Sequence, residues 1–235
     1  MTHTSTAHEV LAVVFQVRGV DPGEGHPALH VLLWQRARDP EQGRWSLPGG
    51  RLGHDEDLTT SVRRQLAEKV DLREVAHLEQ LAVFSDPARV PAARTIASTF
   101  LGLVPSAATP ALPSDTRWHP VSELPDMAFD HRPMVEHAHT RLAAKLSYTN
   151  IGFALTPTEF AISTLRDIYG AALGYQVDAT NLQRVLERRN VITRTGSTAR
   201  SGRAGGRPPA LYRFTESRYR VTDEFAALRP PGWTG

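Results

Sequence analysis

The chain has 235 residues, a formal net charge of +2, 40% hydrophobic residues and no cysteine. This length suits one large domain or two ordinary ones, and the apolar content is enough to build real cores. No apolar stretch approaches a membrane span, and the start MTHTSTAHE lacks the regions of a secretory signal. We therefore expect a cytoplasmic protein with no membrane partner, no disulfide and no thiolate metal site.

The first part of the chain alternates buried strands with turn clusters. Residues 10–17 and 28–36 are near-continuous apolar runs separated by VDPGEGHP, which predicts two buried strands and a turn. Further strands are predicted over residues 76–84 and 95–104, separated by the loop SDPARVPAAR. Apolar residues at helical spacing then predict a helix over residues 132–146. This order is typical of an α/β domain.

Residues 50–72, GRLGHDEDLTTSVRRQLAEKVDL, join a glycine loop to a helix. A start at Asp57 or Thr59 is followed by an apolar residue at every fourth position from Leu58 to Val70, which predicts one buried face. The opposite side is predicted to carry Arg64, Gln65, Glu68 and Lys69. The glycines before the helix allow backbone N–H groups to approach phosphate oxygens. The alternative is an ordinary amphipathic helix after a glycine-rich turn.

With WSLPGG in front of it, this segment resembles the Nudix box, G-x5-E-x7-R-E-U-x-E-E-x-G-U, where U is a bulky apolar residue. Gln65 and Lys69 stand where the family has glutamates, and Asp71 stands where it has glycine. The family's helix glutamates hold Mg²⁺ against a pyrophosphate. The resemblance implies a Nudix α/β/α sandwich, and the substitutions predict that it has no metal site, no catalytic residues and no enzyme activity. The residues that match in register are Gly50, Glu56, Arg64, Leu66, Glu68 and Leu72.

The second part of the chain differs in charge. Residues 1–150 carry 15 Lys and Arg against 18 Asp and Glu, whereas residues 151–235 carry 12 Arg, no Lys and 7 acids. An acidic part joined to an arginine-only basic part predicts two domains, the second facing a polyanion. Because many solvated surfaces are basic, this balance supports nucleic-acid binding only where a binding element is also found.

Residues 156–159, TPTE, form a capping box with proline at the first helical position. The box predicts a helix that buries Phe160, Leu165 and Ile168 and ends near Gly170. A second short segment is predicted over residues 171–175.

A third helix is predicted over residues 179–189, capped by Asp178 and buried through Leu182, Val185 and Leu186. VITRTG and PPALYRF predict two strands around a loop, which completes a winged helix-turn-helix.

The exposed side of this third helix is where DNA contacts are expected. Arginine forks to guanine and asparagine to adenine in the major groove. The loop TGSTARSGRAGGRPPA places further arginines for phosphates or a narrow minor groove. The alternatives are a solvated helix face and a disordered solubilising loop. The predicted DNA-binding residues are Thr180, Asn181, Arg184, Arg188, Arg194, Arg203 and Arg207.

A degenerate Nudix domain followed by a winged helix resembles the NrtR family, the Nudix-related regulators of bacterial NAD metabolism. The resemblance covers about residues 9–225 and includes HLEQLAVFSDPARV, FDHRPMVEHA and DATNLQRVLERRNVI. That family consists of homodimeric repressors that bind palindromic operators near NAD-synthesis or salvage genes and release them when ADP-ribose binds. The resemblance therefore implies double-stranded DNA, a second copy of the chain and ADP-ribose as partners, with no required cofactor.

The predicted domains are an effector-binding domain over residues 9–150 and a DNA-binding domain over residues 151–228, with a disordered tail over residues 1–8 and another tail over residues 229–235. Two alternatives stay open. The first is an active ADP-ribose pyrophosphatase with an accessory DNA-binding domain, because Glu56 and Glu68 are retained. The second is a regulator of the same build that senses a sugar. The predicted effector-binding residues are Arg36, Arg51, Arg64, Glu68, Lys69, Phe84 and Arg89.

Overall fold

The computed structural model describes residues 6–20, 25–91, 93–199 and 208–224. They fall into two compact units, one within residues 1–16, 28–104 and 108–141 and the other within residues 17–27, 105–107 and 142–235. None of the helices in these ranges is long and apolar enough to cross a membrane. The elements are β1 (Ala7–Arg18), β2 (Ala28–Gln35), β3 (Trp45–Ser46), β4 (Gly49–Arg51), α1 (Leu58–Val70), β5 (His77–Phe84), β6 (Thr95–Leu103), β7 (Thr116–Pro120), α2 (His131–Tyr148), β8 (Phe160–Ala161), α3 (Ile162–Leu173), α4 (Ala179–Arg188), β9 (Ile192–Thr198) and β10 (Ala210–Phe214).

The first unit is built on a seven-stranded mixed sheet with the order β3-β2-β1-β6-β5, in which β4 pairs with β1 and β7 pairs with β2. β1 and β6 are parallel, whereas the pairs β1–β4, β2–β3, β2–β7 and β5–β6 are antiparallel. One face of β1 packs Val10, Ala12 and Val14 with α1. On the other face Phe15 meets His139 of α2 edge to face. A sheet covered on both sides explains why β1 reads as a continuous apolar run.

The sequence predicted β1, β2, β5, β6, α1 and α2 to within three residues at each end. It missed β3, β4 and β7. β3 and β4 are two and three residues long and carry no periodicity. β7 forms because it pairs with β2 across a long separation, with Trp118 opposite Leu32, and its residues have no strand pattern of their own.

Helix α1 begins and ends as its local sequence predicts, but one side chain is not where we expected it. Asp57 caps the helix by accepting the Thr60 N–H at 2.7 Å. Val62, Leu66 and Val70 are buried as predicted. Gln65, however, is only 5% exposed, so its predicted place on the side opposite the buried face is wrong. Its position borders β4, and contact with that strand buries the amide.

The second unit contains α3, α4 and a three-stranded sheet with the order β8-β10-β9. The predicted capping box at residues 156–159 is wrong. Ala161 is the N-cap of α3, and Phe160 lies in β8, opposite Tyr212 of β10. Burial of Phe160 in this sheet outweighs the local capping pattern, which is worth only about 1 kcal/mol.

Helix α3 also ends later than predicted. It continues to Leu173 and stops at Gly174, which adopts a left-handed φ of 77°. The separate segment expected over residues 171–175 therefore does not form. Helix α4 and its cap are confirmed, because Asp178 accepts the Asn181 N–H at 2.7 Å, but of its three predicted buried residues only Leu186 is buried, and Leu182 and Val185 are partly exposed. β9 and β10 pair as the predicted wing strands.

Candidate functional site

The glycine loop before α1 is held by backbone contacts that only glycine permits at Gly49. There φ is +156°, and a Cβ would lie 2.3 Å from the carbonyl oxygen of Val10. Just before it, the Leu47 N–H donates to Nδ1 of His131 at 3.1 Å. Burial lowers the pKa of His131 to about 3, so the imidazole is neutral and accepts this bond. The loop is thus fixed to the start of α2.

Arg64 engages both glutamates that the box retains. Its Nε and Nη2 atoms donate to the two Glu56 oxygens at 2.9 and 2.6 Å, and its Nη1 atom donates to Glu68 at 3.0 Å. The Gly53 N–H adds a third bond to Glu56 at 2.6 Å. Hydrogen bonds from Arg64 and then from Gly53 lower the pKa of Glu56 to about 2. Glu56 is therefore a fixed carboxylate whose lone pairs are largely used inside the chain.

Gln65 ties α1 to β4. Its Nε2 atom donates to the carbonyl oxygen of Arg51 at 3.3 Å. A Cβ on Gly50 would lie 2.7 Å from the Gln65 Oε1 atom, so the glycine makes room for this amide. An amide here supplies one neutral oxygen, whereas the family's glutamate supplies a charged carboxylate to a metal ion.

One turn further along α1, Lys69 lies against an aromatic ring. Its Nζ atom is 4.7 Å from the centroid of Trp34, a cation–π distance. Arg36, two residues after Trp34, lies 5.0 Å from the ring of Phe129. Burial, followed by the charge of Arg36, lowers the pKa of Lys69. Two cations on aromatic platforms therefore lie near each other.

The structure places the seven predicted effector residues in two groups. Arg36, Arg64, Glu68 and Lys69 cluster around α1 and β2, with Arg51 contributing its carbonyl oxygen and exposing its side chain. The other two, Phe84 and Arg89, are engaged with different partners.

Phe84 stacks edge to face on His137, with ring centroids 6.1 Å apart. The Arg89 side chain is 1% exposed and binds Asp130 through two bonds of 2.8 and 2.9 Å and Glu9 at 2.6 Å. Arg89 is therefore an internal tie and is not open to a ligand in this structure. Trp34 and Phe129 are not among the predicted residues, although Trp34 shares a strand face with Arg36 by its two-residue spacing.

The described residues also bear on metal binding. In residues 6–20, 25–91, 93–199 and 208–224, no group of three or more His, Asp or Glu is positioned to hold a metal ion. The box residues do not fit Mg²⁺, because Gln65 is neutral, Lys69 is cationic, and Glu56 and Glu68 are both paired with Arg64.

On the second unit, helix α4 exposes all four of its predicted DNA-binding residues. Arg184 donates to the Asn181 amide oxygen at 2.8 Å, so these two side chains lie together. Arg194 of β9 donates to the Tyr212 hydroxyl at 2.9 Å, and Gln183 of α4 donates to the same oxygen at 2.9 Å. Tyr212 thus joins the helix to the wing strands. The predicted residues Arg203 and Arg207 lie outside the described residues.

Two family models match the chain. The NUDIX domain model matches residues 10–138, and the NrtR DNA-binding winged helix domain model matches residues 152–214. NrtR of Shewanella oneidensis, solved in complex with a 27mer DNA, has 30% sequence identity and a TM-score of 0.72, over 88% of this chain and 92% of that one. The chain belongs to the NrtR family of NUDIX-domain proteins. The predicted resemblance and the predicted fold class are confirmed.

Two further comparisons, one with a second protein and one with a single domain of Shewanella oneidensis NrtR, are informative. The protein named ADPR responsive transcriptional repressor NtrR of Acinetobacter baylyi is 29% identical over 217 residues, which cover 89% of this chain and 84% of that protein. The NUDIX domain of Shewanella oneidensis NrtR, solved with ADP ribose, has 30% identity and a TM-score of 0.50, over 59% of this chain and 89% of that one.

Proposed function

We propose that this NrtR-family chain is a sequence-specific DNA-binding transcriptional repressor whose Nudix domain senses ADP-ribose and then releases the operator. The observation that carries the proposal is the combination of two sites in one chain. One is a Nudix helix with Gln65 and Lys69 at two glutamate positions of the box, and the other is a winged helix with an exposed polar and basic face. The relatives support both halves, since one is named as an ADPR-responsive repressor and another was solved with DNA and with ADP ribose.

The proposed DNA reader is α4. Its exposed residue Asn181 stands near the N-terminal end of the helix, where a recognition helix contacts base edges, and the exposed Arg184 lies about one turn further along. Arg194 belongs to the wing, together with Arg203 and Arg207, which we assign from the sequence. Base contacts carry sequence information, and wing contacts to phosphate carry affinity that depends on salt.

The unit that binds DNA is proposed to be a homodimer on a palindromic operator near NAD-synthesis or salvage genes. A single winged helix reads too few base pairs for genomic specificity, whereas a two-fold dimer presents two helices to two half-sites. Light scattering at operator-binding concentrations tests this, and a monomer with undiminished affinity contradicts it. A repressor of this kind acts in the cytoplasm.

The Nudix domain is proposed to bind its ligand without turning it over and without a required cofactor. Hydrolysis of a diphosphate needs a metal or base that activates water, and Arg64 occupies both retained carboxylates of the box. The competing function is an active ADP-ribose pyrophosphatase, which the 61% exposure of the Glu68 side chain favours. Turnover of ADP-ribose at an ordinary enzyme rate, about 1 per second or faster, would favour the active pyrophosphatase over the sensor.

The central experiment is a mobility shift on the DNA upstream of NAD-biosynthesis genes, with and without ADP-ribose. We expect the protein to form a complex with this DNA. ADP-ribose is expected to dissociate the complex, whereas ribose or glucose is expected to leave it intact. Release of the DNA by ribose or glucose, but not by ADP-ribose, would indicate a regulator that senses a sugar. Failure to bind any such DNA, with the chain folded, contradicts the repressor.

A further inference from the structure

The retained carboxylates of the Nudix box are already neutralised by the chain itself. Glu56 accepts from Arg64 twice and from the Gly53 N–H, and Glu68 accepts from Arg64. A divalent cation at this position would have to displace a bidentate arginine from a carboxylate whose side chain is 11% exposed. The box therefore offers a divalent cation few free carboxylate oxygens.

The positive charge in this region comes from side chains. Lys69 stands one turn beyond Gln65 on α1, and Arg36 follows Trp34 at the end of β2. In the described part of the chain, Lys69 has no carboxylate at ion-pair distance, and its ammonium rests on the face of Trp34. Arg36 uses its Nε atom on the carbonyl oxygen of Pro40 and rests on Phe129. These contacts orient both cations without neutralising either one.

Two like charges held near each other repel, and this arrangement costs free energy in the empty protein. The pKa of Lys69 is lowered by burial and by Arg36, as expected for such a pair. An anion between the two cations removes the repulsion. A diphosphate suits the position, because an ammonium acts as a point charge on one phosphate while a guanidinium forks to another.

We propose that Lys69 and Arg36 together replace the divalent cation of a Nudix site, so that the diphosphate of a nucleoside diphosphate ligand binds this domain without Mg²⁺. This inference rests on the proposed sensing of ADP-ribose and adds how its diphosphate is held. Trp34 and Phe129 serve as the platforms that position the two cations.

The test compares binding of ADP-ribose to the full chain by calorimetry in EDTA and in excess MgCl₂. We expect dissociation constants within about twofold of each other, because no metal ion takes part. Binding that appears only with Mg²⁺ overturns this inference and leaves the sensor function standing. Absence of binding in both buffers overturns the sensor function and this inference with it. No variant is needed for this comparison.

The second measurement removes the cation. Lys69→Gln is expected to weaken ADP-ribose binding at least about tenfold in both buffers, equal to about 1.4 kcal/mol. Lys69→Arg keeps the charge and is expected to bind nearly as wild type. The matched control is Arg63→Gln, which removes one positive charge from an exposed position of the same helix and is expected to change nothing.

A Lys69→Gln chain that binds ADP-ribose as tightly as wild type overturns the role of this ammonium. If Lys69→Gln has a lowered melting temperature, Arg36→Gln tests the same two-cation site by removing the other cation, which lies on a different element. Inorganic pyrophosphate serves as the second ligand. It is expected to compete with ADP-ribose in EDTA for the wild type and far less for either variant. Equal competition in all three chains contradicts the two-cation site.

Discussion

Helices α1 and α4 begin alike and differ in what surrounds their arginines. Each starts at an aspartate whose Oδ1 atom accepts a backbone N–H three residues on, at 2.7 Å in both cases. Arg64 of α1 is then clamped by Glu56 and Glu68. Arg184 of α4 contacts only the neutral amide of Asn181 among the described residues. The charge of an arginine that pairs with carboxylates is neutralised within the domain. An arginine that contacts only an amide keeps a positive charge that is available to a ligand.

The same contrast separates the arginines of the two units more widely. In the first unit Arg89 is buried between Glu9 and Asp130. In the second, Arg188 is exposed at the end of α4. The sequence alone predicted ligand contacts for all of these arginines. Partner charge, which only the structure reveals, divides them into residues that hold the domain and residues that can contact a ligand.

The largest expected effect comes from breaking the buried tie. Arg89→Ala leaves Glu9 and Asp130 without their counter-charge and is expected to lower the free energy of unfolding by about 3 kcal/mol. Urea denaturation followed by circular dichroism measures this. Arg63→Ala, at an exposed position of α1, is expected to stay within about 0.5 kcal/mol of wild type. An Arg89→Ala chain of normal stability that no longer binds ADP-ribose would instead make Arg89 a ligand contact.

The next effect concerns the arginine that keeps its charge. Arg184→Ala is expected to cost about 1–3 kcal/mol of operator affinity, much less on random DNA, and almost nothing in stability. Fluorescence anisotropy on operator and scrambled duplexes at several salt concentrations gives the comparison. If both sequences weaken equally, α4 is not the reader of base edges.

The wing arginines provide the contrast for that measurement. Arg203→Ala and Arg207→Ala are expected to weaken operator and scrambled DNA evenly. Each is expected to flatten the salt slope by about one unit for every phosphate that the variant no longer neutralises. Arg184→Ala should leave that slope nearly unchanged. A weakening confined to the operator would assign these two residues to base readout.

The buried imidazole of His131 predicts a pH dependence in the first unit. Its pKa is lowered from 6.5 to about 3 by burial, so the unfolded chain takes up a proton that the folded chain refuses. The contribution of His131 to the free energy of unfolding is complete above pH 6.5. It is lost as the pH falls toward 3, by at most about 1.4 kcal/mol per pH unit.

Urea midpoints at pH 7, 6 and 5 measure this slope. His131→Gln keeps an acceptor for the Leu47 N–H and is expected to show a flatter dependence over the same range, whatever its absolute stability. Parallel curves for the two chains would mean that another group sets the acid sensitivity. Glu56, whose pKa is lowered to about 2, affects the free energy of unfolding at lower pH than His131 does.

The smallest effect concerns how the helices end. Helix α1 ends at Asp71 with a left-handed φ of 50°, whereas α3 ends at Gly174. A non-glycine residue is strained there, so Asp71→Gly is expected to raise the free energy of unfolding by about 0.5–1 kcal/mol. The exposed contact of Asp71 with Arg73 contributes little. A drop in melting temperature would contradict the strain.

Local patterns predicted the elements whose causes are local. The apolar run of β1, the four-residue spacing of α1 and the aspartate caps of α1 and α4 depend on neighbours within a few residues, and all four formed as expected. A domain with a Nudix box followed by a winged helix was sufficient to predict the family, because the motifs and their spacing are read directly from the sequence.

The sequence by itself therefore determined the two domain types and the family. Only the tertiary structure decided which charges are used internally. Arg89 meets partners 80 and 41 residues away, and Phe160 pairs with Tyr212 in place of starting a helix. Periodicity and capping act over about one helical turn, whereas burial, ion pairing and strand pairing act between segments that the fold alone brings together.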